Sequence, residues 1–339
     1  MSGTDDSGAG RHVVVACHAW YGDVTGGAFR LASDLAAFLA NRGWRVSYVC
    51  SSCSEGGPES QQISGVQIHR YPAARRGSRI GRMLHHIRQT ARLVSEIHRN
   101  ECAVDVVSSH SPLQGLGAAL GLRSAEPFIN YTVHSPFEDE LLSNLSGRAG
   151  ITHRAAAWLG RRIDGWNVRL ANRVQTDSRW TYDRFVQRFG DREMAVKGMV
   201  APAWVEADRF LPVDDRLQVR EALGRPWQTD IPLFFTLRRL EHRMGLDMLI
   251  HASSVLARQG FRFRVLIGGG GSLYDSLQRQ VDAAGLSQVV VLLGRIPEPV
   301  IPQCYAAADC FVLPTRSREC FGLIVLEAFA CNSPVIGSR

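Results

Sequence analysis

Two carboxylates, Glu319 and Glu327, are separated by seven residues in the run RECFGLIVLEAFACNSP near the end of the chain, with Phe321, Gly322 and Leu323 among them. A strand-like run, CFVLP, comes just before. A helix starting near Phe321 would carry Glu327 about two turns along it and leave Glu319 in the loop at its mouth. The first backbone N–H groups of such a helix have no partner within it and can bind an anion. An ionised carboxylate accepts two hydrogen bonds, so a vicinal diol is its natural partner. Acids that grip hydroxyls, set around amides that grip phosphate, describe a site for a nucleotide sugar. An ordinary amphipathic helix with solvated acids is the plainer alternative.

Cations stand where such a ligand would need them. TLRRLEHRMG places Arg238, Arg239 and Arg243 just before Gly245, after a strand-like segment. Guanidinium groups stay charged and offer a rigid fork of donors, which suits a diphosphate; a solvated basic turn would also contain them. Four glycines, including Gly269, join strand to helix in VLIGGGGSLYDSL. Such a turn lets backbone approach a ligand, or simply turns tightly. Gly26 and Gly27 open another helix, where amides and a partial positive charge favour an anion. They do not form a G-x-G-x-x-G fingerprint, which argues against a nicotinamide site. His110 in VVSSHSP and His134 in INYTVHSPF each follow a strand-like run. A side chain just past the carboxyl end of a parallel strand faces the ligand crevice of an open α/β sheet; a structural bond to backbone is the alternative for both.

Positioning these groups requires wound parallel sheets. Strand-like and helix-like segments alternate along the chain. Strands are expected at 12–17, 45–50, 66–71, 104–108, 128–133 and 173–176. Helices are expected at 28–42, 79–99 and 154–171, and Ser178 reads as the cap of another. The segment 201–214, with Pro202 and Pro212, reads as a linker. The pattern then restarts, with strands at 233–237, 263–267, 289–293, 310–313 and 334–336 and helices at 245–258, 273–284 and 299–307. The fold class is α/β: two Rossmann-like doubly wound parallel-sheet domains facing a cleft, at 11–200 and 215–339, after a disordered N-terminus at 1–10.

Together the Glu-x7-Glu run, the arginines before Gly245, the glycine turns and the Thr132-x-His134 sequence resemble the retaining GT-B glycosyltransferases of family 4 (glycosyl transferases group 1). The resemblance covers nearly all of residues 12–339. It implies that the first domain binds the acceptor and the second the nucleotide sugar. It implies that Glu327 holds the donor's ribose hydroxyls and Glu319 those of the transferred sugar, with the amides of Phe321, Gly322 and Leu323 facing sugar and diphosphate. Gly26 and Gly27 would approach the donor phosphates, Gly269 the base, and Arg295 and Ile296 the base edge. His134 would bond the transferred sugar, with His110 and Tyr131 on the acceptor side. Arg239 matches the family's arginine. Met244 stands where the family has lysine, and Arg243, one residue earlier, would supply the second cation. Asn332 stands where the family usually has glycine, a place asparagine tolerates.

The implied reaction moves a hexosyl or N-acetylhexosaminyl group from a nucleoside diphosphate sugar to an acceptor hydroxyl of a saccharide, lipid-linked or small-molecule acceptor, with retention. Arg239 and Arg243 would stabilise the departing diphosphate, and Glu319 and His134 would hold the sugar. No D-x-D pair stands in a suitable loop, so no metal is expected, and no cofactor beyond the donor. In the family a further helix and a helix crossing back to the first domain follow the last strand. Their absence reads as a C-terminally truncated second domain that would need a partner subunit or lose stability. A catalytically silent nucleotide-sugar-binding or partner subunit, and a GT-B-type sugar epimerase, stay open as alternatives.

The chain has 339 residues and a net charge of +7. That length suggests two domains, and the charge suits anionic partners. No apolar run is long enough to span a bilayer, and MSGTDDSGAG lacks the basic start and apolar middle of a secretion signal. Among eight cysteines, Cys50 and Cys53 form a lone C-x-x-C, without the second pair or spaced histidine that zinc needs. The reading is a reduced, cytoplasmic protein. Arg75, Arg76, Arg79, Arg82, Arg88, Arg92 and Arg99 lie on or beside one helix with Glu96 its only acid. Some members of the family use such a helix for peripheral membrane contact; arginines simply solvated around an apolar packing face also fit. No nucleic acid partner is expected, since neither interleaved aromatics nor a known module is present there.

Overall fold

The structure, a computed structural model, describes residues 10–24, 26–52, 59–74, 76–143, 150–317 and 319–338. The expected disorder of 1–10 falls outside these residues except for Gly10, and Cys53, Arg75 and Arg318 fall outside them too. The chain divides into two compact units, Met1–Ala203 and Trp204–Arg339, with the division inside the 201–214 segment.

In the first unit the strands are β1 (His12–Ala16), β2 (Arg45–Ser51), β3 (Ser60–Ile63), β4 (Val66–Tyr71), β5 (Val106–Ser109), β6 (Phe128–Val133), β7 (Arg173–Thr176) and β8 (Gly198–Val200). They form an eight-stranded sheet in the order β3-β4-β2-β1-β5-β6-β7-β8. All neighbours are parallel except the β3–β4 pair. Every residue of β1 is buried, as expected of a strand covered on both faces. The pleat sends Val13 and Val15 to one side, where they pack with Ala32 and Ala36 of the helix Gly27–Asn41. Val14 and Ala16 go to the other side, against Val94 and Ile97 of the helix Arg79–Asn100 and Ala118 of the helix Pro112–Gly121.

The helix Pro112–Gly121 is not among the sequence expectations, because its glycines weaken helical propensity. Packing explains them. A Cβ on Gly117 would stand 2.6 Å from the Ile87 carbonyl oxygen, and one on Gly121 2.3 Å from that of Ala91. The absent side chains let this helix lie directly on the backbone of Arg79–Asn100. Strand β3 also goes unanticipated, since it is short, mostly exposed and without apolar alternation.

In the second unit the strands are β9 (Leu233–Leu237), β10 (Arg264–Gly268), β11 (Val290–Gly294), β12 (Cys310–Leu313) and β13 (Val335–Gly337). They form a fully parallel sheet in the order β11-β10-β9-β12-β13. Leu266 joins an aromatic core of Phe210, Trp227, Phe235, Tyr305 and Phe311 on one face. Val265 and Ile267 join Leu277 and Val281 of the helix Tyr274–Ala283 on the other. No helix among the described residues is long and apolar enough to cross a membrane.

Strand order changes direction once in each unit, between β1 and β5 and between β9 and β12. Loops leaving two adjacent parallel strands in opposite directions open a crevice at their carboxyl ends, where ligands of such sheets bind. In the second unit a glycine lets one loop pass close to the backbone at this crevice. Gly269 has φ +122°, and a Cβ there would stand 1.8 Å from the Arg238 carbonyl oxygen. Gly269→Ala should lower the unfolding free energy in urea by at least about 3 kcal/mol, from backbone strain plus this clash. The control is Gly43→Ala, at φ +83° with nothing within 4 Å, where about 1 kcal/mol is expected from strain alone. Equal losses in the two titrations would show that the close approach is not what requires Gly269.

Candidate functional site

In the second unit the site forms where β9 and β12 end side by side. Arg238, the first residue past β9, is 8% exposed. Its Nη2 donates to Thr315 Oγ1 at 2.7 Å and to Glu319 Oε2 at 2.5 Å, and lies 2.9 Å from Met244 Sδ. Thr315 Oγ1 donates to the same Glu319 oxygen at 3.0 Å. The loops are joined through backbone as well. The Arg316 amide donates to the Arg243 carbonyl at 2.9 Å. A Cβ on left-handed Gly245 would meet the Pro314 carbonyl oxygen at 1.8 Å. The buried Met244 side chain beside Arg238 accounts for the departure from lysine, since a second cation there would face a guanidinium without solvent to screen it.

Glu327 lies on the helix Leu323–Ala330, which begins two residues later than expected, after a left-handed Gly322 at φ 79°. No side chain caps this helix, so its first amides have no capping oxygen. The side chain of Glu327 is buried, and its Oε2 accepts the Tyr305 hydroxyl at 2.7 Å. Burial, then the neighbouring carboxylate, pushes the Tyr305 hydroxyl well above its ordinary pKa, and the positive charge of Arg238 acts on it in the opposite sense. Each acid thus has its own buried partner, Arg238 for Glu319 and Tyr305 for Glu327. Asn332 has φ 54°, the left-handed geometry its place requires.

Arg239 stands apart from this cluster, and the Arg243 side chain turns towards Glu241. Arg239 has a 71% exposed side chain and reaches Glu241 Oε1 at 2.9 Å, and Arg243 Nε lies 3.6 Å from Glu241 Oε2. The structure therefore gives the Glu319 contact to Arg238 and leaves Arg239 at the solvent edge. The glycine turn and Arg295-Ile296 do meet. Gly270 is covered by the stem of Arg295, and Gly268 faces Ile296 Cδ1, 2.5 Å from where its Cβ would be. Phe321 is half-buried beside Gly322.

In the first unit the predicted histidines come together. His110 Nδ1 lies 3.0 Å from His134 Nε2, His134 Nδ1 lies 2.7 Å from Asp177 Oδ2, and His110 Nε2 lies 3.1 Å from Ser108 Oγ. Burial and the adjacent His134 hold His110 well below the usual histidine pKa. Both ring nitrogens of His134 are engaged by protein. Gly26 precedes the helix Gly27–Asn41, which no side chain caps. A Cβ on Gly26 would crowd the Phe29 ring at 3.0 Å, whereas Gly27 has open space around it. Tyr131 does not join these residues. It is 1% exposed, and its hydroxyl donates to Asp164 Oδ1 at 2.8 Å inside the core. Asp164 also accepts the Phe137 amide at 2.9 Å, and burial raises its carboxyl pKa to about 7.

Sequence reasoning passed over Arg238 as a contact of Glu319, and missed Thr315, Tyr305, Ser108 and Asp177. Arg238 and Asp177 each stand one residue past a strand. The rule that selected the histidines would have selected both. Among the described residues no group of three or more His, Cys, Asp or Glu side chains is placed to hold a metal ion.

Two Rossmann-like units with polar groups gathered at their strand ends define the fold of GT-B glycosyltransferases. Among solved structures, sucrose-phosphate synthase from Thermosynechococcus elongatus matches at TM-score 0.78 and 20% identity, over 97% of this chain and 81% of that one. Anabaena Alr3699/HepE, in complex with UDP and glucose, matches at TM-score 0.73 and 18% identity over the same shares. The family description "Glycosyltransferase Family 4" matches residues 25–197, and "Glycosyl transferases group 1" matches residues 224–339. The chain belongs to glycosyltransferase family 4. It is 35% identical over 218 residues, 59% of this chain and 55% of the relative, to a GDP-mannose-dependent alpha-(1-6)-phosphatidylinositol monomannoside mannosyltransferase of Mycolicibacterium smegmatis. It is 30% identical over 247 residues, 69% of this chain and 51% of the relative, to a D-inositol 3-phosphate glycosyltransferase of Streptomyces bingchenggensis. The chain thus spans about half the length of these relatives.

Two outcomes follow. Arg238→Ala should lower stability by about 1–3 kcal/mol, because it strips the half-buried Glu319 and the buried Thr315 of their partner, while Arg239→Ala should change it by less than about 0.5 kcal/mol. Urea titrations that rank them the other way would contradict the assignment of the Glu319 contact. Asp164 gives a pH signature. A carboxyl raised from 3.8 to about 7 keeps its proton in the folded state after the unfolded state has released it. Its stabilising contribution is full at low pH and is lost as pH rises through about 7. The stability difference between the parent protein and Asp164→Asn should therefore shift against the parent between about pH 4 and 7 and level off above that. A constant difference would contradict a buried, protonated Asp164.

Proposed function

We propose that this protein transfers a hexosyl or N-acetylhexosaminyl group from a nucleoside diphosphate sugar to an acceptor hydroxyl, with retention and without a metal. The observation that carries this reading is the Arg238–Thr315–Glu319 cluster at the β9–β12 crevice, beside a helix start with no side-chain cap. A carboxylate held from behind by a guanidinium and a hydroxyl keeps its other oxygen for sugar hydroxyls, and the helix start supplies amides for diphosphate. Arg239 and Arg243, on the same loop, would supply positive charge to the departing diphosphate, and Glu327 would bind the ribose hydroxyls from its bond to Tyr305. Retention rests on membership of the family.

Relatives named for GDP-mannose make that the first donor to test, and acceptors bearing inositol or its mannosides the first class. A cytoplasmic protein in peripheral contact with a membrane fits this acceptor class. In support, Ile80 is 61% and Leu84 43% exposed on the helix Arg79–Asn100, among exposed Arg76, Arg79, Arg82 and Arg88. An amphipathic face of this composition suits an anionic lipid surface.

GDP-mannose at a hundredfold excess over its Kd should stabilise the protein by about 2.7 kcal/mol. Donor turnover should persist in EDTA, and Glu319→Gln should lower kcat by about 100-fold or more. Binding without turnover, with or without acceptor, would point to a silent binding subunit. An isomerised nucleotide sugar without acceptor would point to an epimerase, and loss of turnover in EDTA would end the metal-free reading.

A further inference from the structure

The first unit contains a hydrogen-bonded row that family membership does not explain. Ser108, His110, His134 and Asp177 come from the carboxyl ends of β5, β6 and β7, three adjacent strands. The row runs across the strand ends through contacts of 3.1, 3.0 and 2.7 Å. The two imidazoles stack, with centroids 5.2 Å apart and planes 24° from parallel. Ser108, His110 and Asp177 are each about 5% exposed. The His134 ring is the most open side chain of the three-residue outer part, at 12%.

The direction of each bond follows from chemistry. An ionised carboxylate only accepts, so the proton between His134 and Asp177 sits on His134 Nδ1. Neutral His134 then accepts at Nε2, so His110 donates from Nδ1. His110 Nε2 is left to accept, and the Ser108 hydroxyl donates to it. Each nitrogen is used once, and the order is fixed from the Asp177 end.

We propose that Asp177 on Nδ1, with His110 on Nε2, is a positioning residue that fixes the tautomer and ring plane of His134 for sugar transfer. The proposal rests on the transferase reading above but concerns a residue that reading does not use. A ligand arriving at the sheet edge would therefore meet a His134 ring of set orientation.

The test pairs spectroscopy with kinetics on the whole chain. In ¹⁵N-histidine-labelled protein at about pH 8.5, where unperturbed imidazoles are neutral, long-range ¹H–¹⁵N spectra should show His134 and His110 both protonated at Nδ1 and bare at Nε2. In Asp177→Asn the amide can donate to Nδ1, which should move His134 to the Nε2–H tautomer. The kcat of GDP-mannose hydrolysis should fall about 10-fold or more, with donor KM within about twofold. Asp177→Glu should restore the Nδ1–H tautomer and part of kcat. If Asp177→Asn does not fold, His110→Ala carries the comparison: His134 should keep its Nδ1 proton while kcat falls about tenfold. An Nε2–H His134 in the parent protein, or an unchanged tautomer and kcat in Asp177→Asn, overturns the proposal. A parent protein that turns over no nucleotide sugar instead sinks the transferase reading, while the ¹⁵N lines still decide whether Asp177 sets the tautomer.

Discussion

The bond from Arg238 to Glu319 is the constraint on which the second unit's site depends. It spans the place where strand order reverses, so it fixes two loops that the sheet alone would let diverge. A guanidinium so little exposed cannot be left without an acceptor. Thr315 and Glu319 provide one, and Met244 leaves no competing cation beside it. The glycines serve this bond. Gly269 lets the turn after β10 pass under the Arg238 carbonyl, and Gly245 lets the β9 loop touch the Pro314 carbonyl. A side chain at either place would push apart the segments that carry the arginine and the acid.

The same physics recurs in the first unit with different chemistry. There the reversal lies between β1 and β5, and the Ser111 hydroxyl joins the two strand ends by accepting the His18 amide at 3.0 Å. The neighbouring edge carries imidazoles and one buried acid in place of a guanidinium pair. Parallel strands all end on one side, so residues distant in sequence become neighbours in a row. Asp177 reaches His134 across 43 positions of chain for this reason. Fully parallel strands also bury both faces, which is why cores form on either side of each sheet and the polar groups collect at the strand ends.

Sequence alone determined most of the core strands and long helices, the presence of two α/β units, and the residue types gathered at the strand ends. It did so because apolar periodicity and glycine placement are local properties, and because Glu319 and Glu327 lie within one short segment. The helix Pro112–Gly121 escaped because its glycines answer to the backbone of a helix elsewhere in the chain. Only the tertiary structure decided which arginine meets Glu319. Three lie within one loop, and nothing local separates Arg238, turned into the core, from Arg239, turned to solvent. Tyr131 and His134 likewise share one stretch, yet the strand's pleat and the acid at 164 take the tyrosine into the core while the strand end gives the histidine to Asp177. Burial and pairing across strands depend on contacts between distant residues, and those exist only once the sheets have formed.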